Sequence, residues 1–197
     1  MKKAITISSL FFLGIAFGVL AEGSFSKNLS GKILLQVESR GEAWYVNPSD
    51  LKKYYMGKPE DAYDLMRNFS VGITNNNLEK ISVGFINDGQ DNDNDGLENK
   101  LEESLGTNFE NKDSDNDGYN DGEEIKNNYN PFGVGKLNIN NNFSKLQVGK
   151  IFLQVEKNGE AWYVNPSDSK RYYLGRAEDA LNIMKKLSLG ITNNNLN

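Results

Sequence analysis

The chain has 197 residues, a net charge of −5, and neither cysteine nor histidine. The missing cysteines exclude disulfides, thiolate catalysis and zinc–thiolate sites, and the missing histidines exclude the usual serine and cysteine triads and zinc-protease motifs. The acidic balance argues against a nucleic-acid partner, which selects a basic face.

In chain order, Met1-Lys2-Lys3 precedes an apolar run from Ala4 to Leu20, and Val19-Leu20-Ala21 fits the small-residue cleavage rule. Residues 1–21 are therefore read as a signal peptide, giving a secreted or cell-surface (extracytoplasmic) protein. The alternative is an uncleaved anchor, in which case the membrane is touched only through this segment.

A first module follows over residues 25–81. Ile33, Leu35 and Val37 alternate with Leu34, Gln36 and Glu38, a strand pattern. Ser39-Arg40-Gly41-Glu42 reads as a hairpin turn, Ala43 to Val46 as the return strand, Asn47-Pro48-Ser49-Asp50 as a second turn, and Lys53 to Met56 as a third strand. Pro59-Glu60-Asp61 opens a helix with Ala62, Leu65, Met66 and Phe69 on one face, and Gly72 stops it. Thr74 caps a short helical turn through Leu78.

Two acidic stretches come next, 22 positions apart. One runs Asp91-Asn92-Asp93-Asn94-Asp95-Gly96-Leu97 and closes on Glu102; the other runs Asp113-Ser114-Asp115-Asn116-Asp117-Gly118-Tyr119 and closes on Glu124. Both fit D-x-D-x-D-G-x5-E, a calcium-loop spacing. Calcium takes six to eight oxygens. Asp91, Asp93 and Asp95, or Asp113, Asp115 and Asp117, supply positions one, three and five. The carbonyl of Leu97 or Tyr119 is position seven, Asn99 or Asp121 is position nine, and Glu102 or Glu124 is the bidentate position twelve. Without a cation these carboxylates repel, at about 1 kcal/mol per close pair in water. Such tracts are otherwise disordered acidic linkers, but a linker has no reason to place Gly at position six and Glu at position twelve twice.

Gly31 to Leu78 recurs as Gly149 to Leu196 at a constant offset of 118, so a second module spans residues 143–197. The expected fold class is α+β: two small duplicated β-β-β-α modules joined by an extended calcium-binding loop segment over residues 88–132. On this reading the segment is a rigid spacer, and calcium removal loosens the middle while each module stays partly folded.

The central segment resembles bacterial thrombospondin type 3 repeats. Gly106-Thr107-Asn108 before the second loop and Asn130-Pro131 after it carry that punctuation, with Phe109 where proline is usual and Asn99 where the family places Asp. EF-hands compete, but their loops pair through an apolar position eight, here Glu98 and Asn120, and Pro131 leaves little room for an exiting helix. The resemblance implies an extended, calcium-cemented segment with little conventional core, in a secreted protein.

Trp44, Tyr45, Tyr54 and Tyr55 recur as Trp162, Tyr163, Tyr172 and Tyr173. Neighbours in a strand face opposite ways, so one of each pair should be exposed. The exposed rings either merely cover the sheet or form a stacking platform, with Trp44, Tyr55, Trp162 and Tyr173 as its candidates. The Trp-Tyr, turn, Tyr-Tyr run resembles Gram-positive cell-wall-binding repeats, which are shorter and lack the helix. The function expected is a non-enzymatic, calcium-binding adhesion module for cell-wall polymer or surface glycan. The alternatives are a surface spacer without a ligand and an accessory protein of a cell-wall hydrolase.

Overall fold

The computed structural model describes residues 27–87 and 89–196. The signal-peptide reading and the first two residues of the first module lie outside them. So do Asp88 and Asn197, which bound the central segment and the second module.

In each copy the three strands and the longer helix form as the pattern predicts. In the first, β1 (Ile33–Gln36), β2 (Ala43–Val46) and β3 (Lys53–Met56) form a meander, followed by α1 (Pro59–Phe69). Proline opens α1, Glu60 and Asp61 occupy its first turn, and Ala62, Leu65 and Met66 are buried. The helix ends differently from expectation. Ser70 is already extended, with ψ at 148°, and Gly72 lies inside a further strand, β4 (Val71–Ile73). A short α2 (Asn75–Leu78) follows with Thr74 as its N-cap. The central segment contributes α3 (Asn99–Leu105) and α4 (Asp121–Lys126). The second copy is α5 (Asn141–Gln147), β5 (Ile151–Gln154), β6 (Ala161–Val164), β7 (Arg171–Tyr173), α6 (Ala177–Lys186), β8 (Leu189–Ile191) and α7 (Asn193–Leu196).

The α+β class is as expected; the way the two copies assemble is not. The sheets run β3-β2-β1-β8 and β4-β5-β6-β7. Each copy gives its last strand, in parallel, to the sheet of the other: β8 along β1 and β4 along β5. The helices α1 and α6 lie against each other, and one apolar cluster draws on both copies. Ile33, Tyr45 and Met56 meet Ile151, Tyr163 and Leu174, with Leu65 and Met184 between them. At the closest approach the Tyr45 hydroxyl donates to the Gly149 carbonyl and the Tyr163 hydroxyl to that of Gly31, each at 2.7 Å. The spacer reading is therefore corrected. The copies share strands and a core, so nothing remains for a spacer to hold apart.

The central segment also has a core of its own making. Leu97, Leu101 and Ile125 are buried in one cluster with Ile73, Ile81, Phe152, Trp162 and Val164 on the outer face of the second sheet. The expectation of little conventional core fails because these three side chains, interspersed with the acidic residues, dock on that sheet. The outer face of the first sheet carries a smaller cluster of Leu34, Val46, Ile191 and Leu196. The edges differ too. The chain beyond α2 runs beside β7, where the Arg171 N–H donates to Ser82 O at 2.9 Å and the Gly84 N–H to Arg171 O at 2.8 Å.

Candidate metal centre

The two acidic loops take the same backbone path. Gly96 and Gly118 at position six have φ of 97° and 99°. Asn94 and Asn116 at position four are left-handed as well, at 62° and 61°. The spacing argument missed position four, although asparagine is among the few residues that enter this region readily. Position one tightens each turn. Asp91 accepts from the N–H groups of Asn94 and Gly96 at 2.8 and 3.1 Å, and Asp113 from those of Asp117 and Gly118 at 3.2 and 2.9 Å.

Carboxylate oxygens converge in three groups, each within 4.8 Å: Asp91, Asp93 and Asp95; Asp113, Asp115 and Asp117; and Asp95, Glu102 and Asp121. The third group crosses between the loops. Asp121, assigned to the second loop by spacing, stands with Asp95 and Glu102 of the first, and the Gly122 N–H donates to Asp95 Oδ2 at 2.7 Å. A methyl on Gly122 would stand 2.2 Å from the Asp95 carbonyl oxygen, so the loops touch through bare backbone there.

Position nine has a structural task in both loops. Asn99 Oδ1 accepts from the Asn92 N–H and Asp121 Oδ1 from the Ser114 N–H, each at 3.0 Å. The amide oxygen of Asn99 is thereby engaged with backbone. At position seven, Leu97 buries its side chain in the core whereas that of Tyr119 is 65% exposed.

Position twelve carries the clearest sign of a cation. Glu102 is fully buried and Glu124 nearly so, each at the first turn of a short helix. Glu102 Oε1 accepts from Thr107 at 3.4 Å, but Glu102 Oε2, Glu124 Oε2 and Asp93 Oδ2 are buried with no hydrogen-bond partner. A buried, unsatisfied carboxylate oxygen is costly. Three of them pointing among other carboxylates fit a hard cation with oxygen ligands.

Without metal these carboxyls keep their protons to higher pH than usual. Burial, reinforced by Asp93 and Asp95, raises the Glu102 carboxyl from 4.5 to about 8. Burial, then Asp117 and Asp115, raises that of Glu124 to about 7. Asp93, Asp95 and Asp121 shift upward too, chiefly through burial. In the metal-free fold a raised carboxyl contributes stability fully present below its ordinary value of 4.5 and lost as pH rises through about 8. Metal-free protein should therefore melt higher at pH 5 than at pH 8, and calcium should reverse that order by favouring the ionised form. Glu102→Gln should stabilise the metal-free protein at pH 8. It should also weaken calcium binding by roughly tenfold or more, since even supporting residues of metal sites are worth that much. Calorimetric titration at pH 8 checks this; unaltered calcium uptake by the variant would remove Glu102 from the site.

The four aromatic candidates separate. Trp162 is 1% exposed beneath Leu97, Leu101 and Ile125 and cannot stack on a ligand, a correction to the twin-platform reading. Its ring packs 5.3 Å from that of Tyr173, which is half-buried. On the other sheet Trp44 is half-buried, 5.1 Å from Tyr55, which is 48% exposed. Arg171, not singled out by the sequence, lies buried 4.7 Å over the Trp162 ring, and burial lowers its pKa to about 10.

Compared with known families, residues 91–108 and 113–132 match the bacterial TSP3 repeat. The central segment thus has the composition of a calcium-binding repeat pair, with acidic groups placed to hold metal. No curated protein and no solved structure matches the chain.

Proposed function

We propose that this is an exported, non-enzymatic protein whose central segment binds calcium and which holds a cell-wall polymer or surface glycan. The observation that carries the calcium assignment is the set of partnerless buried oxygens on Asp93, Glu102 and Glu124, within loops that match the bacterial TSP3 repeat. The donors are all oxygen and mostly carboxylate, which suits calcium better than softer transition metals. Export is supported by the leader pattern of residues 1–21 and by the extracellular setting typical of TSP3 repeats. Among the described residues no helix is long and apolar enough to cross a membrane.

The binding role is supported by exposed aromatic surface on a body that calcium stiffens. Tyr63 and Tyr55 are about half exposed. Sedimentation with purified cell wall in millimolar calcium tests it. Retention that is abolished by chelator and restored by calcium is the expected result; passage through the wall pellet in both conditions favours a surface protein without a ligand.

A further inference from the structure

Two clefts of about 670 and 660 Å³ adjoin on one side of the molecule. They share Glu103, Tyr173, Gly175 and Arg176. The first opens between α1, the β5–β6 turn and the start of α6, over a floor that includes Met66, Leu153 and Ala161, with the half-exposed Tyr63 at its rim. The second continues between residues 84–87 and 89–90, the start of α3 and the face of α6 that carries Asp179 and Asn182. Each has the size of a small-molecule site.

We propose that these clefts are one groove that binds an extended, uncharged saccharide, with Tyr173 and Arg176 at its centre. The inference rests on the reading of the protein as a glycan-binding one. The groove mixes both signs of charge: Arg67, Arg176, Glu103 and Glu160 line the first cleft, and Lys100 pairs with Asp179 at 2.7 Å in the second. Glu98 adds a further acid, so a polyanion would meet carboxylates beside each cation. The amides of Asn87 and Asn182 suit sugar hydroxyls and N-acetyl groups, donating and accepting from one plane. Tyr63 and Tyr173 offer ring faces against which the apolar face of a pyranose packs.

The groove draws one wall from outside the duplicated modules. That wall is α3, which contributes Lys100, Leu101 and Glu103 and which begins at position nine of the first loop and contains Glu102 at position twelve. A helix of 7 residues does not stand alone in water; it is held by Leu101 in the core and by its loop. Metal held at Glu102 would therefore fix the wall and couple saccharide binding reciprocally to calcium binding.

The test is titration of the calcium-loaded full chain with tetrasaccharides of β-1,4-linked N-acetylglucosamine, glucose and mannose, with heparin as the polyanion. At least one neutral tetrasaccharide should bind, and heparin should not bind more tightly. Tyr173→Ala should weaken binding about tenfold. Because Tyr173 also packs on Trp162, Tyr63→Ala and Asn182→Ala at the exposed rim serve as variants that leave the core alone, and each should weaken binding severalfold. Chelator should reduce it about tenfold or more. No binding of any neutral tetrasaccharide at millimolar concentration, a preference for heparin, or binding indifferent to all three substitutions overturns the groove. If cell wall is still retained in a calcium-dependent way in that event, the general binding role stands and only its location falls. If wall is not retained either, both fall.

Discussion

Chelation of calcium is expected to lower the melting temperature of the whole protein by about 10 °C, in a single transition. An extracellular calcium site with a dissociation constant of about 0.1 mM contributes about 1.4 kcal/mol in millimolar calcium. Three groups of ligands, one of them sharing Asp95 with another, bring the sum to at most about 4 kcal/mol. In a chain of this size each kcal/mol shifts the midpoint by about 2–4 °C. The single transition follows from the packing. Leu97, Leu101 and Ile125 lie in the same cluster as Phe152, Trp162 and Val164, so a loosened loop uncovers the second sheet rather than a passive linker. That sheet contains β4 of the first copy, and its inner face lies in the core common to both. Differential scanning calorimetry with and without chelator, beside tryptophan fluorescence, checks the expectation. An unmoved midpoint would dispose of the calcium contribution. A separate early transition that leaves Trp162 unaffected would restore the independent middle segment that the sequence suggested.

Much of the local structure was legible because it is written in short-range patterns. Alternation over residues 33–38, the turn at Asn47 to Asp50 and the capped, one-faced helix from Pro59 each reflect interactions within a few residues. The acidic loops were legible because oxygen coordination imposes a spacing on them. What escaped depends on which copy meets which. Val71-Gly72-Ile73 and Leu189-Gly190-Ile191 are too short to show alternation, and their sequences are nearly alike. Either could pair with the sheet of its own copy or of the other, and no local signal distinguishes the two. Trp44 and Trp162 stand in matching sequence yet differ in burial, because the covering residues Leu97, Leu101 and Ile125 dock on one sheet only. Asp121 keeps its place in the second loop through Ser114, but its second set of neighbours, Asp95 and Glu102, escaped for the same reason. Its position in the loop is local, whereas its approach to Asp95 comes from the loops packing together.

Alanine at Gly31 or Gly149 is expected to destabilise the fold by about 3–5 kcal/mol, enough to unfold a marginal protein. Both glycines have positive φ, 73° and 79°, where a side chain is strained by about 1–2 kcal/mol. Space is the larger obstacle. A methyl on Gly31 would stand 2.3 Å from Gly149 Cα, and one on Gly149 would stand 2.4 Å from Gly31 Cα. Backbone faces backbone, so neither side can yield by turning a rotamer, and separating the two turns breaks the bonds from Tyr45 and Tyr163 to these two carbonyls. Gly41 supplies the control, with φ at 76° and nothing within 4 Å of its missing methyl. Gly41→Ala therefore carries the strain alone, and its difference from Gly31→Ala isolates the contact between copies. Urea unfolding of the three variants measures that difference. If Gly31→Ala proves no more costly than Gly41→Ala, the two copies do not meet backbone to backbone, and the shared body built on that meeting cannot be right.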